Sequence, residues 1–446
     1  MVFKYFPHTI EDIEEMKNFL KINKIDDLFQ DVPKEVLFQK EYNIPSHLSE
    51  SELRRYFEKI ASKNKELILF TGLGFYDHYE PAVINSLLSR QEFLTAYTPY
   101  QPEISQGTLQ YIFEYQSMIQ TLTGMDVSNA SMYDGTTSTA EACFMAESIT
   151  KRKTILISGT VHPSVIDVVR TYAKFKGLTV EIINEKSGIT DLSHLQQLLG
   201  SHVAGVVVQK PNFFGIIESF EEVSKAVHEH GAILIENADI STLSVLKTPR
   251  LDGADIAVGD CQSLGMNVAY GGPTLGYLAT LKPYVRKMPG RICGYSLDEE
   301  GRRAFVLTLQ AREQHIRREK ANSNICSNQS LMALYATIYL ALLGPIGLKK
   351  ANLLSYQGAH YLYDELIKTG KFKPYFNQPF FKEFVLETLI PYDMLQKACI
   401  DNGFLAGISL SNYDEKYQNL VTFAVTEKRQ KSEIDELVSL VGGLSW

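Results

Sequence analysis

From residue 154 onward the chain alternates between short apolar runs rich in β-branched residues and longer stretches whose apolar positions recur at helical spacing. The runs fall at 154–157, 179–183, 205–208, 232–235 and 256–258, and the helical stretches between them at 165–175, 192–199, 220–229 and 240–246. Continuous apolar strands separated by helices predict an α/β domain with a mostly parallel sheet covered on both faces. Ligands on such a sheet bind beyond the carboxyl ends of its strands. Those ends carry Ser158-Gly159-Thr160-Val161-His162, Gln209-Lys210-Pro211-Asn212, Glu236-Asn237-Ala238-Asp239 and Asp260-Cys261-Gln262. His162 there could stack on a ring or serve as a hydrogen-bonded structural histidine.

Upstream, residues 1 to about 65 read as polar and helical, with Thr9 as an N-cap, Asp12 three residues on, and a break at Pro33. They predict an extension that wraps a neighbour or a surface layer on its own domain. The run 67–70 leads into Gly72-Leu73-Gly74, a weak dinucleotide signal because Asp77 stands where a third glycine belongs; a mobile loop is the better expectation. Residues 108–123 have helical spacing, and residues 131–142 open a second helix with small and hydroxyl residues. After residue 331 an apolar helix is expected to end near Gly344-Pro345, and at 13 apolar-rich residues, 331–343, it is too short to span a bilayer. The remainder, with strands at 383–386 and 420–425, predicts a smaller α+β domain. The expected division is an extension at 1–65, a large domain at 66–330 and a small domain at 331–446.

Composition narrows the function more than the fold. At 446 residues the chain exceeds one ordinary core. Its net charge of −8 supplies no positive field for nucleic acid. The five cysteines are scattered and odd in number, which predicts a reduced, cytoplasmic protein without a disulfide framework or zinc site. The N-terminus has no apolar signal region, so neither export nor membrane attachment is expected. The basic segment 302–320 stands out against the acidic background. It predicts a solvated helix with internal Glu–Arg pairs, or a surface where Arg312, Arg317, Arg318 and Lys320 meet an acidic partner.

Three loops carry candidate chemistry. Residues 97–101, Tyr-Thr-Pro-Tyr-Gln, combine flat apolar bodies with polar tips, as pocket linings and packed interfaces both do. Residues 131–142 place a glycine and hydroxyls at a helix start, a ready anion site, although Asp134 at the turn repels an anion. Residues 254–280 read as strand, polar turn, Gly-Gly-Pro loop and strand. That arrangement resembles the region of pyridoxal-phosphate (PLP) enzymes of the aspartate-aminotransferase-like fold that carries the Schiff-base lysine. No lysine lies between Pro249 and Leu281 here. Glu236 and Asp239 are near the place of the carboxylate that such enzymes set against the pyridine nitrogen, but the surrounding residues depart from the usual pattern.

Longer strings point further. YDHYEPAVINSLLSRQEFLTAYTPYQPEISQGTLQ at 76–110, SMYDGTTSTAEA at 131–142, GDCQSLGMNVAYGGPTLGYLAT at 259–280, KMPGRICG at 287–294 and FVLTLQAREQHIRREKANSNICSNQSL at 305–331 together resemble the N-terminal-half (alpha) subunits of the glycine decarboxylase P-protein family. The resemblance implies a PLP-transferase large domain of fold type I and one half of a heteromeric enzyme of the glycine cleavage system, α2β2 in the family. Its beta partner, subunit 2, would carry PLP, decarboxylate glycine, and pass the aminomethyl group to the lipoyl arm of the H-protein. Aligned on Gly271-Gly272-Pro273, the lost Schiff-base lysine falls at or near Gln262, so this chain alone is expected to hold no cofactor and to be inactive. Tyr97, Tyr100 and Gln101 are the expected contribution to a shared site. A self-sufficient PLP enzyme and a non-enzymatic scaffold are the competing expectations.

Overall fold

The computed structural model describes residues 5, 7–38, 40 and 42–445. Met1 to Lys4, Phe6, Gln39, Glu41 and Trp446, which the expected extension and small domain include, lie outside them. The chain forms two units, Met1–Lys65 and Glu66–Trp446.

In the first unit the helix Ile10–Leu20 starts where expected. Thr9 accepts a hydrogen bond from Asp12 N, and the Asp12 carboxylate accepts one from Thr9 N. Ser49 and Glu52 make the same reciprocal cap on the helix Glu50–Ala61. Among the described residues between these helices only a short 3-10 turn forms, Ile25–Phe29, so the segment is less helical than its sequence suggests. None of its described residues is buried.

The second unit is built on a seven-stranded sheet in the order Val127–Ser128, Gly276–Thr280, Ile256–Asp260, Ile233–Ala238, Val203–Lys210, Thr154–Ser158, Thr179–Ile183. The last five run parallel. Gly276–Thr280 is antiparallel to both of its neighbours. Side-chain alternation divides the strand residues between two cores. Leu156, Val206, Val208 and Leu234 face one, together with Tyr115 and Ile119 of the helix Gln106–Thr123. Ile155, Ile157, Val207 and Ile235 face the other, together with Cys143 and Met145 of the helix Gly135–Thr150.

A third core joins the C-terminal elements around an antiparallel sheet ordered Phe372–Pro374, Glu383–Thr388, Leu420–Ala424, Ile408–Ser409. The strand Ile68–Phe70 belongs with this core, since it pairs with Phe404–Ala406 and Phe70 packs against the C-terminal residues. The apolar helix does not stop at Gly344. It runs Ser330–Lys368, interrupted where Gly344 takes φ 57° ahead of Pro345. By length and composition it could cross a membrane; in this fold Ala333, Tyr335 and Tyr339 fill the first core and Ala359, Leu362 and Leu366 the third.

The basic segment is not a helix either. Arg303–Thr308 is a strand paired with Ile292–Leu297, followed by short turns and the four-residue helix Gln314–Arg317. Its alternating Ala304, Phe305, Val306 and Leu307 match a half-buried strand, a period masked by the density of charge around it.

Candidate functional site

A cavity of about 410 Å³ opens at the carboxyl edge of the parallel strands. Four of the five parallel strands contribute their ends to it, as expected for this topology: His162 follows Thr154–Ser158, Gln209 and Asn212 close Val203–Lys210, Asn237 and Asp239 close Ile233–Ala238, and Asp260 and Ser263 follow Ile256–Asp260. The Gly72-Leu73-Gly74 loop covers one side. It is tethered rather than mobile, because Leu73 N and Tyr76 OH both donate to the Glu383 carboxylate, at 2.6 and 2.9 Å.

The helix Gly135–Thr150 points its N-terminus at the cavity. Its first residue must be glycine, since a Cβ would lie 2.8 Å from Asp260 N. Two carboxylates already serve its exposed N–H groups. Asp260 Oδ2 accepts from Gly135 N at 3.0 Å, and Asp134 Oδ1 accepts from Thr137 N at 2.8 Å and from the Thr136 hydroxyl at 2.7 Å. Burial pushes the Asp260 carboxyl up to about 7; the N–H groups of Gly135 and Gln262 oppose the rise and Asp134 adds to it.

His162 stands edge-on to Phe213 and Tyr413, with ring centroids 5.2 and 5.7 Å away. Its Nδ1 accepts from Ser164 N at 3.1 Å, while its Nε2 is buried without a hydrogen-bond partner. Burial pushes the imidazole down to about 4, so it is neutral near pH 7. The expected hydrogen-bonded structural role is thus present on one nitrogen, the ring meets its aromatic neighbours edge-on rather than stacked, and the other nitrogen is open.

Of the two candidate carboxylates for a pyridine nitrogen, Glu236 is fully buried and ion-paired to Lys210 at 3.2 Å, outside the cavity wall. Asp239 does line the cavity. Burial works to raise it, yet the Lys382 ammonium at 2.7 Å and the Ser263 hydroxyl outweigh burial and hold it below the usual carboxylate range. Lys382 immediately precedes Glu383–Thr388, an interior strand of the C-terminal sheet, and is 1% exposed. Its amine sits 4.0 Å over the Tyr76 ring and 3.1 Å from His78, which in turn contacts Glu427 at 2.7 Å. Sequence reasoning missed Lys382, because nothing local links it to strand ends more than a hundred residues away.

Gln262 is fully buried. Its amide accepts from Tyr76 N at 2.9 Å and donates to the carbonyls of Tyr76 at 2.9 Å and Met266 at 2.7 Å. The side chain thus ties two loops and is not part of the cavity wall. Tyr97, Tyr100 and Gln101 are not brought to this cavity. Tyr97 is 80% exposed, Tyr100 is 47% exposed, and Gln101 is exposed at the start of the 3-10 turn Pro102–Ile104. The buried Arg291 guanidinium donates to Tyr100 OH at 3.1 Å, lies 5.0 Å from its ring centroid, and is ion-paired to Glu313 at 3.2 Å. Arg312, expected on the surface, is buried and donates to the carbonyls of Met288, Gly290 and Leu309.

Sheet order, the single antiparallel strand and the cavity at the strand ends define a PLP-dependent enzyme fold of type I. Glutamate decarboxylase of Lactobacillus brevis shares this fold, with a TM-score of 0.70 at 11% identity over 92% of this chain and 95% of that one. Closer relatives fix the family. The glycine cleavage system P-protein family matches residues 3–441, and the chain belongs to it. A Carboxydothermus hydrogenoformans protein named "Probable glycine dehydrogenase (decarboxylating) subunit 1" is 49% identical over 99% of both chains. The crystal structure of a glycine decarboxylase (P-protein) of the glycine cleavage system, in inhibitor-bound form, superposes with a TM-score of 0.92 at 41% identity, again over 99% of each chain.

PLP in this fold would need an anion cup at a helix start and an amine near residue 262. Here a phosphate at Gly135 would meet Asp134 and Asp260 with the N–H groups of Gly135 and Thr137 already engaged. The residues present in this cavity do not fit the cofactor.

Proposed function

We propose that this chain is the alpha half of a heteromeric glycine decarboxylase of the glycine cleavage system, cytosolic, in an α2β2 assembly with a PLP-carrying beta subunit. In that division of labour the partner supplies the Schiff-base lysine and the chemistry on glycine, and the lipoyl arm of the H-protein receives the aminomethyl group. The family membership and the relatives named subunit 1 support the activity. The occupied helix N-terminus, with Gln262 in place of a lysine, is the observation that carries the assignment of the cofactor to the partner. Lys382 is the one amine beside the cavity among the described residues that argues for a self-sufficient enzyme, but it is buried and held against Asp239 at 2.7 Å rather than presented on the cavity wall.

What this chain offers is surface. The first unit exposes Phe19, Phe29, Phe38, Tyr42 and Phe57, an apolar display suited to wrapping a neighbouring subunit. The Tyr97, Tyr100 and Gln101 loop, braced by Arg291, is set outward where it can complete the partner's site and exclude water around the lipoyl arm. Exchange of labelled bicarbonate into glycine tests the reading. Neither subunit alone should catalyse it and the mixture should. Full-rate exchange by the beta subunit alone, or any exchange by this chain alone, contradicts it.

A further inference from the structure

A cavity that rejects a phosphate is still a cavity, of a size usual for small-molecule sites. The geometry points to a different occupant: we propose that it binds a flat organic cation bearing a primary ammonium and no phosphate. The proposal uses the division of labour above only in leaving the cavity free of the cofactor.

Charge on the wall is one-sided. Asp134, Asp239, Asp260 and Glu383 line it, with no lysine or arginine among the lining residues. Two of these acids have their own partners: Asp239 has Lys382 behind it, and Glu383 accepts from Leu73 N and Tyr76 OH. Asp134 and Asp260 are left at the helix start with only neutral donors. The second oxygen of Asp134, Oδ2, accepts no hydrogen bond, whereas Oδ1 accepts two. An ammonium placed between them donates a charge-assisted hydrogen bond to the open oxygen of Asp134 and, beside Asp260, favours the ionised form that burial opposes.

The rest of the wall selects the body of the ligand. His162 presents a buried Nε2 with no partner, and the rings of Phe213 and Tyr413 stand against it. The neutral imidazole can pair with a ring hydroxyl or ring nitrogen, and Phe213 and Tyr413, packed edge-to-face beside it, give that side of the cavity an apolar aromatic wall. A carboxylate or phosphate on the ligand would face the same acids that attract the amine.

Pyridoxamine and pyridoxamine 5′-phosphate differ only in the phosphate and make the test direct. Isothermal titration of the full-length chain near neutral pH should show saturable one-to-one binding of pyridoxamine and none of its phosphate ester. Asp134→Asn keeps a good helix cap, so its melting temperature should match the parent while pyridoxamine binding falls by roughly tenfold or more. Failure of both probes to bind, or binding untouched by Asp134→Asn in a folded variant, overturns the cation site and leaves the division of labour standing. Preferential binding of the phosphate ester, with PLP reducible by borohydride onto this chain, overturns both.

Discussion

Gln262 is a small side chain with a large number of obligations. Three hydrogen bonds to backbone groups of Tyr76 and Met266 pass through its amide in a fully buried setting. Gln262→Ala leaves those groups unpaired and should cost roughly 2–4 kcal/mol in urea unfolding. Glu141 makes a second, pH-dependent prediction. It is 5% exposed, and burial pushes it up to about 7, opposed by the Ser323 hydroxyl and Lys176. Its folded-state value lies above its unfolded one, so the folded chain binds the proton more tightly and stability falls as pH rises from about 4.5 to 7. Glu141→Gln should flatten that fall, gaining up to about 3 kcal/mol over the parent at pH 8 relative to pH 4. An unchanged difference between the two pH values would show that Glu141 ionises freely in the fold. Residue types were legible in the sequence, partners were not: the absence of lysine from 249–281 is visible in one dimension, but the tie of Gln262 to Tyr76 spans 186 positions.

At the scale of elements, periodicity located the five parallel strands and the helices Pro163–Lys176, Leu192–Leu198 and Glu221–Glu229 to within a few residues, because burial on both faces leaves an unmistakable apolar run; the expected helix at 240–246 is a 3-10 turn, Ile240–Ser244, and the two-residue edge strand Val127–Ser128 left no such run. It failed where charge or a breaker masked the period. Arg303–Thr308 is a strand inside a basic stretch, and Gly344-Pro345 kinks the helix Ser330–Lys368 without ending it. The tyrosine loop is the element with a direct functional prediction. Tyr97 and Tyr100 are exposed enough that their truncation should leave unfolding of the isolated chain nearly unchanged. Tyr97→Ala with Tyr100→Ala should lower exchange by the assembled enzyme on the order of tenfold to a hundredfold, the loss associated with a misplaced reactant. Unchanged turnover would remove the loop from the shared site.

At the scale of the molecule, the alternating pattern announced the α/β class, while long-range pairings did not. The union of Ile68–Phe70 with Phe404–Ala406 joins segments more than 300 residues apart, and no local signal marks it. The first unit carries the remaining prediction. Phe19 is 85% exposed and Phe57 58% exposed. Phe19→Ser with Phe57→Ser should therefore leave the melting of this chain intact while weakening association with the beta subunit by roughly two orders of magnitude, if each anchors about 1–2 kcal/mol of interface. Sedimentation of the mixed subunits reads that shift, and wild-type association would place the interface elsewhere.

The knot of bonds around Gln262 and the helix start bears on what the cavity could be changed to do as well as on stability. Suppose a lysine stood at position 262. It would sever the stitches between two distant loops, and the cofactor's phosphate would still find the Gly135 cradle closed by acids. Under the proposed division of labour, a self-sufficient site here would need several coordinated replacements, at Gln262 and at both acids of the helix start, rather than one.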